Sequence, residues 1–318
     1  MSDRANFGHD TTTDQVLEGI DLTDSRALVT GGTAGLGVET ARTLAAHGAA
    51  VTLTARDMAR GGAIAAEIRE TTGNQAVNVM ELELGTLASV RSFTDAYLAR
   101  YDSLNILINN AGVMACPELK TEDGFELQFG TNHLGHFLMT NRLVPALLKG
   151  SPARVVALSS RAHHMAPVDF DDLDFASRGY NKWAAYGQSK TANILFAVAL
   201  DARLRSHGVR AYAVHPGVIE TELSRHMDDE DRAMINARAE QIGNWTLKSV
   251  AAGAATSVYA ATAPELENQG GVYLEDCGVA PIENESTSHG VRAYALEQST
   301  AERLWQVSED LVGESFSF

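Results

Sequence analysis

Short apolar runs alternate along this chain with longer stretches in which apolar residues recur every three or four positions. The runs are Ala27–Thr30, Ala50–Thr54, Ala76–Met80, Leu104–Ile108, Arg154–Leu158, Val209–Val214 and Gly271–Leu274. Each is nearly continuous and rich in aliphatic or β-branched residues, the pattern of a strand buried on both faces of a parallel sheet. The intervals between them, mostly about twenty to fifty residues, leave room for a crossover helix each time. After the first run, Val38, Ala41, Leu44 and Ala45 fall on one helical stripe and Gly48 supplies a stop signal. Ile194, Leu195, Val198 and Leu204 form a second stripe between Tyr186 and Leu204. The pattern predicts an α/β fold with a doubly wound parallel sheet of about seven strands and helices on both faces. No linker or internal repeat divides the chain. A single domain over 23–281 is expected, with an N-terminal arm over 1–22 and a C-terminal extension over 282–318 that is helical and packed on the same domain.

Composition narrows the function classes. The chain has 318 residues, 45% hydrophobic and 21% charged, with a net charge of −16. That is ordinary for a globular protein, and such an acidic surface repels nucleic acid and anionic bilayers. The first twenty residues are polar and acidic, without an apolar run of signal-peptide length. Ile194–Leu200 is among the longest apolar stretches and is far too short to span a bilayer. Cys116 and Cys277 are too few for a disulfide framework or a four-thiolate zinc site and read as inert small residues. A reduced, cytoplasmic protein is expected.

The first chemistry appears where the first strand gives way to the first helix. Gly31, Gly35 and Gly37 stand in Thr30-Gly-Gly-Thr-Ala-Gly-Leu-Gly37. Glycine at such a turn allows positive φ and lets a pyrophosphate approach backbone N–H groups, while the helix start supplies free donors and a positive dipole end. In a dinucleotide site the end of the second strand declares the cofactor: an acid there holds a ribose 2′-hydroxyl and a cation suits a 2′-phosphate. Here Ala55 occupies the acid's place and Arg56 follows. The planar fork of Arg56 fits a phosphate monoester, so NADP(H) is expected, with NAD(H) as the alternative. The competing reading makes Arg56 a solvated charge paired with Asp57.

Further on, Tyr186 and Lys190 lie one turn apart on the same helix face. A phenol titrates near pH 10, and a neighbouring ammonium is expected to bring it toward the working range.

These motifs, taken in order over about 25–275, resemble the short-chain dehydrogenase/reductase family. They are TGGTAGLG at 30–37, NNAG at 109–112, Asn132–Phe137, Ser159-Ser160, YGQSK at 186–190 and His215–Thr221. The wording of TARD, LSSRAHH and QSKTANILF is most similar to retinol-dehydrogenase-type and WW-domain-oxidoreductase-type members, without a WW domain. The resemblance implies a Rossmann-type fold and an oxidoreductase that interconverts an alcohol and a carbonyl. It implies a catalytic tetrad of Asn132, Ser160, Tyr186 and Lys190, with Ser159 as the competing serine. Tyr186 would exchange the proton, Ser160 would hold the substrate oxygen, Lys190 would bind ribose, and Asn132 would hold a relay water. Gly31, Thr33, Gly35, Leu36 and Gly37 would take the diphosphate, and Arg56 the 2′-phosphate. Glu83 and Leu84 would meet the adenine, although the family usually has aspartate where Glu83 stands. Asn109, Asn110, Ala111 and Gly112 would line the adenosine ribose, and Pro216, Gly217, Val218 and Thr221 the nicotinamide. The family's habit of pairing the Tyr/Lys helix with its copy implies a homodimer or homotetramer.

Between the motifs, residues 161–180 and 218–250 carry Met165, Phe170, Phe175, Trp183, Ile219, Leu223, Met227, Met234 and Trp245 in or near them. That favours a bulky, hydrophobic alcohol, aldehyde or ketone over a sugar phosphate as the small-molecule substrate. Two rivals stand beside this reading: reduction of an activated C=C bond on the same scaffold, and a non-catalytic NADP(H) sensor. No metal site is expected, because His133, His136, His163 and His164 lack acidic or thiol partners at ligand spacing. His215 reads as a strand-end residue, Asn244 and Asn284 as unused glycosylation sequons, and Asp169–Asp174 as a solvated loop.

Overall fold

The computed structural model describes residues 7–242 and 246–318, and among them one mixed, mostly parallel sheet carries the molecule. Its strands are β1 (Arg26–Val29), β2 (Ala50–Ala55), β3 (Val77–Glu81), β4 (Ile106–Asn109), β5 (Ala153–Leu158), β6 (Val209–His215), β7 (Val272–Glu275) and β8 (Gly278–Val279). The helices are α1 (Thr13–Leu17), α2 (Gly35–Ala46), α3 (Met58–Thr72), α4 (Leu87–Arg100), α5 (Leu127–Phe129), α6 (Gly135–Arg142), α7 (Val144–Lys149), α8 (Lys182–Leu204), α9 (Asp229–Ile242), α10 (Val250–Thr262) and α11 (Gln298–Val312).

The strands run in the order β3-β2-β1-β4-β5-β6-β7-β8. The first seven in the chain pair in parallel, and β8 is a two-residue antiparallel addition to β7, one more strand than the sequence pattern predicts. The continuous apolar runs are explained by burial on both sides. In β1, Ala27 and Val29 face one core while Leu28 faces the other, and β4 repeats this with Ile106 and Ile108 against Leu107. One core takes Leu44 of α2, Ile68 of α3 and Val258 of α10; the other takes Phe93 of α4, Phe137 of α6 and Ile194 of α8.

The topology fixes where a ligand can lie. The chain winds outward from β1 to β3, then returns to place β4 on the other side of β1. Loops leaving these two neighbours diverge and open a crevice at their carboxyl ends.

Both ends of the described chain pack on this frame. Thr12 and Gln15 close a capping box on α1, whose Val16 and Leu17 are buried in the core shared with α10. α11 lies on α8, stacking Trp305 on Phe196 and setting it edge-on to Phe137. Every residue of α8 from Ala185 to Asp201 is buried within the single chain. α11 covers one flank of α8 along this stretch.

Candidate active site

The glycine turn has the backbone its sequence demands. Gly31 takes φ +65°, and a Cβ at Gly37 would stand 2.3 Å from the Gly31 carbonyl oxygen. Asn110 braces the turn from below, its Nδ2 donating to the Thr30 carbonyl at 2.7 Å. Thr30 Oγ1 in turn accepts from the N–H groups of Asn110 and Ala111 at 2.9 and 3.0 Å. Ala34 precedes α2 without offering a side-chain cap, so the first N–H groups of that helix meet the crevice without an intrachain side-chain partner.

A cavity of about 670 Å³ opens above this turn. Gly31, Thr33, Gly35, Leu36, Arg56, Glu83 and Leu84 line its nucleotide side. Asn110, Ala111 and Gly112 enter from the β4 loop, and Pro216, Gly217, Val218 and Thr221 from the β6 loop. Ser160, Tyr186 and Lys190 stand between the two groups. Gly37 and Asn132 lie behind the wall, and Asn109 is buried with its Nδ2 donating to Thr140 Oγ1 at 2.9 Å.

Arg56 is two-thirds exposed and leans toward Glu83 at 3.5 Å, not toward Asp57. Asp57 instead caps α3 by accepting from Ala59 N and Arg60 N at 3.0 Å. One turn along, Arg60 also reaches the cavity and pairs with Glu222 at 2.7 Å. The signal for it in the sequence is only that it is a second cation just past the end of β2.

The two serines are separated by their partners. Ser159 is buried and its hydroxyl donates to the Lys190 carbonyl at 2.8 Å. Ser160 opens the turn Arg161–Met165, accepts from Ala162 N at 3.1 Å and lines the cavity together with the Tyr186 phenol. Burial pushes that phenol up to about 12, with Ser160 opposing the rise. Burial also brings the Lys190 ammonium down to about 8; its Nζ donates to the Leu158 carbonyl at 3.0 Å and lies 5.6 Å from the Tyr186 ring centre. The expected lowering by Lys190 is not seen in the protein alone: desolvation raises the phenol, and Lys190 is not what opposes the rise.

Asn132 sits in a π-helical turn, Gly130–Leu134, between α5 and α6. Its amide is fully engaged, accepting from Val113 N at 2.8 Å and donating to Val113 O and Ser189 Oγ at 2.9 and 3.0 Å. The group left for a relay water is the main-chain carbonyl, which already accepts from His136 Nδ1 at 2.9 Å.

Met165, Trp183, Ile219, Leu223, Met227 and Met234 line the far side of the cavity. Phe175 is buried in the fold and Phe170 packs under Arg303, so neither reaches it, and Trp245 lies outside the described residues, as does Asn244. Met114, Leu247 and Thr287 also line the cavity; they come from irregular segments with no periodic signal. Among the described residues no helix is long and apolar enough to cross a membrane, and no cluster of three or more His, Cys, Asp or Glu could hold a metal ion.

Comparison with known proteins matches this geometry to a family. The short chain dehydrogenase family model covers residues 25–232. Human retinol dehydrogenase 11 is 42% identical over 294 residues, which are 92% of this chain and 87% of that relative. A crystal structure of an uncharacterized protein from Mycobacterium Paratuberculosis superposes with a TM-score of 0.71 at 34% identity, covering 99% of this chain and 98% of that one. A short chain dehydrogenase from Burkholderia cenocepacia J2315, solved in complex with NADP, gives 0.63 at 26% identity over 80% of this chain and 96% of its own. This chain belongs to the short-chain dehydrogenase/reductase family and is an oxidoreductase similar to the retinol dehydrogenases.

Proposed function

We propose that this enzyme uses NADP(H) to interconvert a hydrophobic alcohol and its aldehyde or ketone, with Tyr186 as the acid and base. The observation that carries the reading is that Ser160, Tyr186 and Lys190 share the wall of the cavity that opens above the glycine turn.

The chain's own residues fit a dinucleotide. Uncapped N–H groups of α2 face the crevice as anion donors, and Arg56 follows β2 where an acidic residue would select NAD. When bound, the nicotinamide supplies or accepts the hydride at its C4 carbon. Ser160 then hydrogen-bonds the substrate oxygen and orients it for transfer. Tyr186 keeps its proton in the buried site, a state suited to protonating the oxygen of a carbonyl being reduced, and takes it back when an alcohol is oxidised. Lys190, held by the Leu158 carbonyl, presents its amine for the ribose. Asn132 fixes Val113 just past Gly112 and so shapes the floor beside that amine.

Met165, Trp183, Ile219 and Met234 give the substrate end an apolar lining, in keeping with the long apolar alcohol named in the similar retinol dehydrogenases. A reduced, cytoplasmic setting fits the free thiols of Cys116 and Cys277, both buried. A homodimer or homotetramer belongs to the same reading.

The test is a turnover screen of hydrophobic carbonyls, alcohols and enones with NADPH and NADH in parallel. Carbonyl reduction with NADPH is the expected result, and Tyr186→Phe should lower it by roughly a hundred- to ten-thousandfold. Turnover confined to enones, or NADPH binding with no turnover at all, would replace the reading by one of its rivals.

A further inference from the structure

The turn that follows Ser160 is clamped from two sides. From α8, Thr191 Oγ1 donates to the Ala166 carbonyl at 2.7 Å and to the His163 carbonyl at 3.3 Å. From the C-terminal extension, the Tyr294 hydroxyl also donates to the His163 carbonyl, and the Arg292 N–H donates to His163 Nε2 at 3.1 Å. The His163 side chain then reaches back, its Nδ1 donating to the Ser160 carbonyl at 2.7 Å.

These partners settle the state of the ring. A carbonyl can only accept and an amide N–H can only donate, so Nδ1 carries the proton and Nε2 is bare. His163 is fully buried, and burial with His164 beside it holds its pKa down at about 3, so the neutral tautomer persists. Its ring packs against Tyr273 at 5.0 Å between centres. The Ser160 carbonyl also accepts the His163 backbone N–H at 3.0 Å, so the ring and backbone of one residue grip the same oxygen. The Ser160 hydroxyl caps the same turn, which makes its direction depend on how that turn is seated.

We infer that His163 is a positioning residue for Ser160, and that the C-terminal extension, through Arg292 and Tyr294, holds it in register from more than a hundred residues away. This rests on the reading of Ser160 as the hydroxyl that orients the substrate oxygen. A serine displaced by a fraction of an ångström still lets the cofactor bind but aligns the oxygen poorly, so the loss falls on kcat.

Three variants and one control test it, with kcat and KM for a reduced carbonyl, NADPH affinity and Tm measured for each. His163→Phe keeps the ring packing and removes both side-chain bonds; kcat should drop about ten- to a hundredfold while NADPH affinity holds. His163→Asn places an amide N–H where Nδ1 was, and should recover most of that loss. Tyr294→Phe, which leaves the core filled, should cost about fivefold in kcat, as one hydrogen bond does. Unchanged kcat in His163→Phe and Tyr294→Phe overturns the inference, as does a parallel fall in kcat, NADPH affinity and Tm that His163→Asn fails to rescue. Ser160→Ala separates the two levels: wild-type kcat in that variant removes the function read for Ser160, whereas a large loss there beside an active His163→Phe removes only the role of His163.

Discussion

The two ends of the cavity are built by different means. At the nucleotide end, strand, turn and helix follow one another without spare residues, and the contacts are made by backbone held from beneath by Asn110 and Thr30. At the substrate end the wall is made of side chains from irregular segments, and three of them stand well into solvent: Met165 at 38%, Met234 at 44% and Leu247 at 57% exposed. One end is fixed by the topology of the sheet and tolerates little change; the other is an adjustable rim. The lesson is that cofactor class is a property of the fold here, while substrate class is a property of a few replaceable side chains.

Gly37→Ala tests the rigid end most severely. The added methyl would meet the Gly31 carbonyl oxygen at 2.3 Å and Asn110 Nδ2 at 2.7 Å, both parts of the braced turn. Overpacking of this kind costs about 1–3 kcal/mol, and NADPH affinity measured by titration should fall roughly ten- to a hundredfold. An unchanged affinity would mean the turn is softer than its hydrogen bonds imply. Arg56→Ala should weaken NADPH by about tenfold and leave NADH almost untouched, since a solvent-exposed charged hydrogen bond to the 2′-phosphate is what is lost. Equal losses for both cofactors would move the selectivity elsewhere, with Arg60 the next residue to examine. Leu247→Ser should have the smallest effect, raising KM for an apolar substrate about two- to fivefold with NADPH affinity unchanged. A larger effect on the cofactor than on the substrate would erase the division between the two ends.

The same division explains what could be read from sequence. The strands were legible to within a residue or two, because burial on both faces writes continuous runs such as Val155-Val156. The glycine turn and the Tyr186/Lys190 pair were legible because their spacing is dictated by the chemistry they serve. β8 was not, since two residues carry no pattern, and α1 was hidden in a polar arm although Thr12 and Gln15 formed a capping signal there. The upward shift of Tyr186 in the protein alone is not legible, because i,i+4 spacing records a neighbour but not the depth at which both are buried. Likewise, His163 had been weighed only as a metal ligand; its partners Arg292 and Tyr294 are distant in the chain, and no local motif marks such a pairing.

The stacking of Trp305 on Phe196 also has a consequence for how the molecule is made. Arg203, at the end of α8, and Glu302 of α11 are joined by a hydrogen bond across 99 residues of sequence. Synthesis runs from the amino end, so Phe137 and Phe196 leave the ribosome long before the tryptophan that will shield them. Until α11 arrives the nascent chain presents an aromatic patch to its surroundings, and the interval in which it needs protection from self-association is set by the time taken to translate those intervening residues.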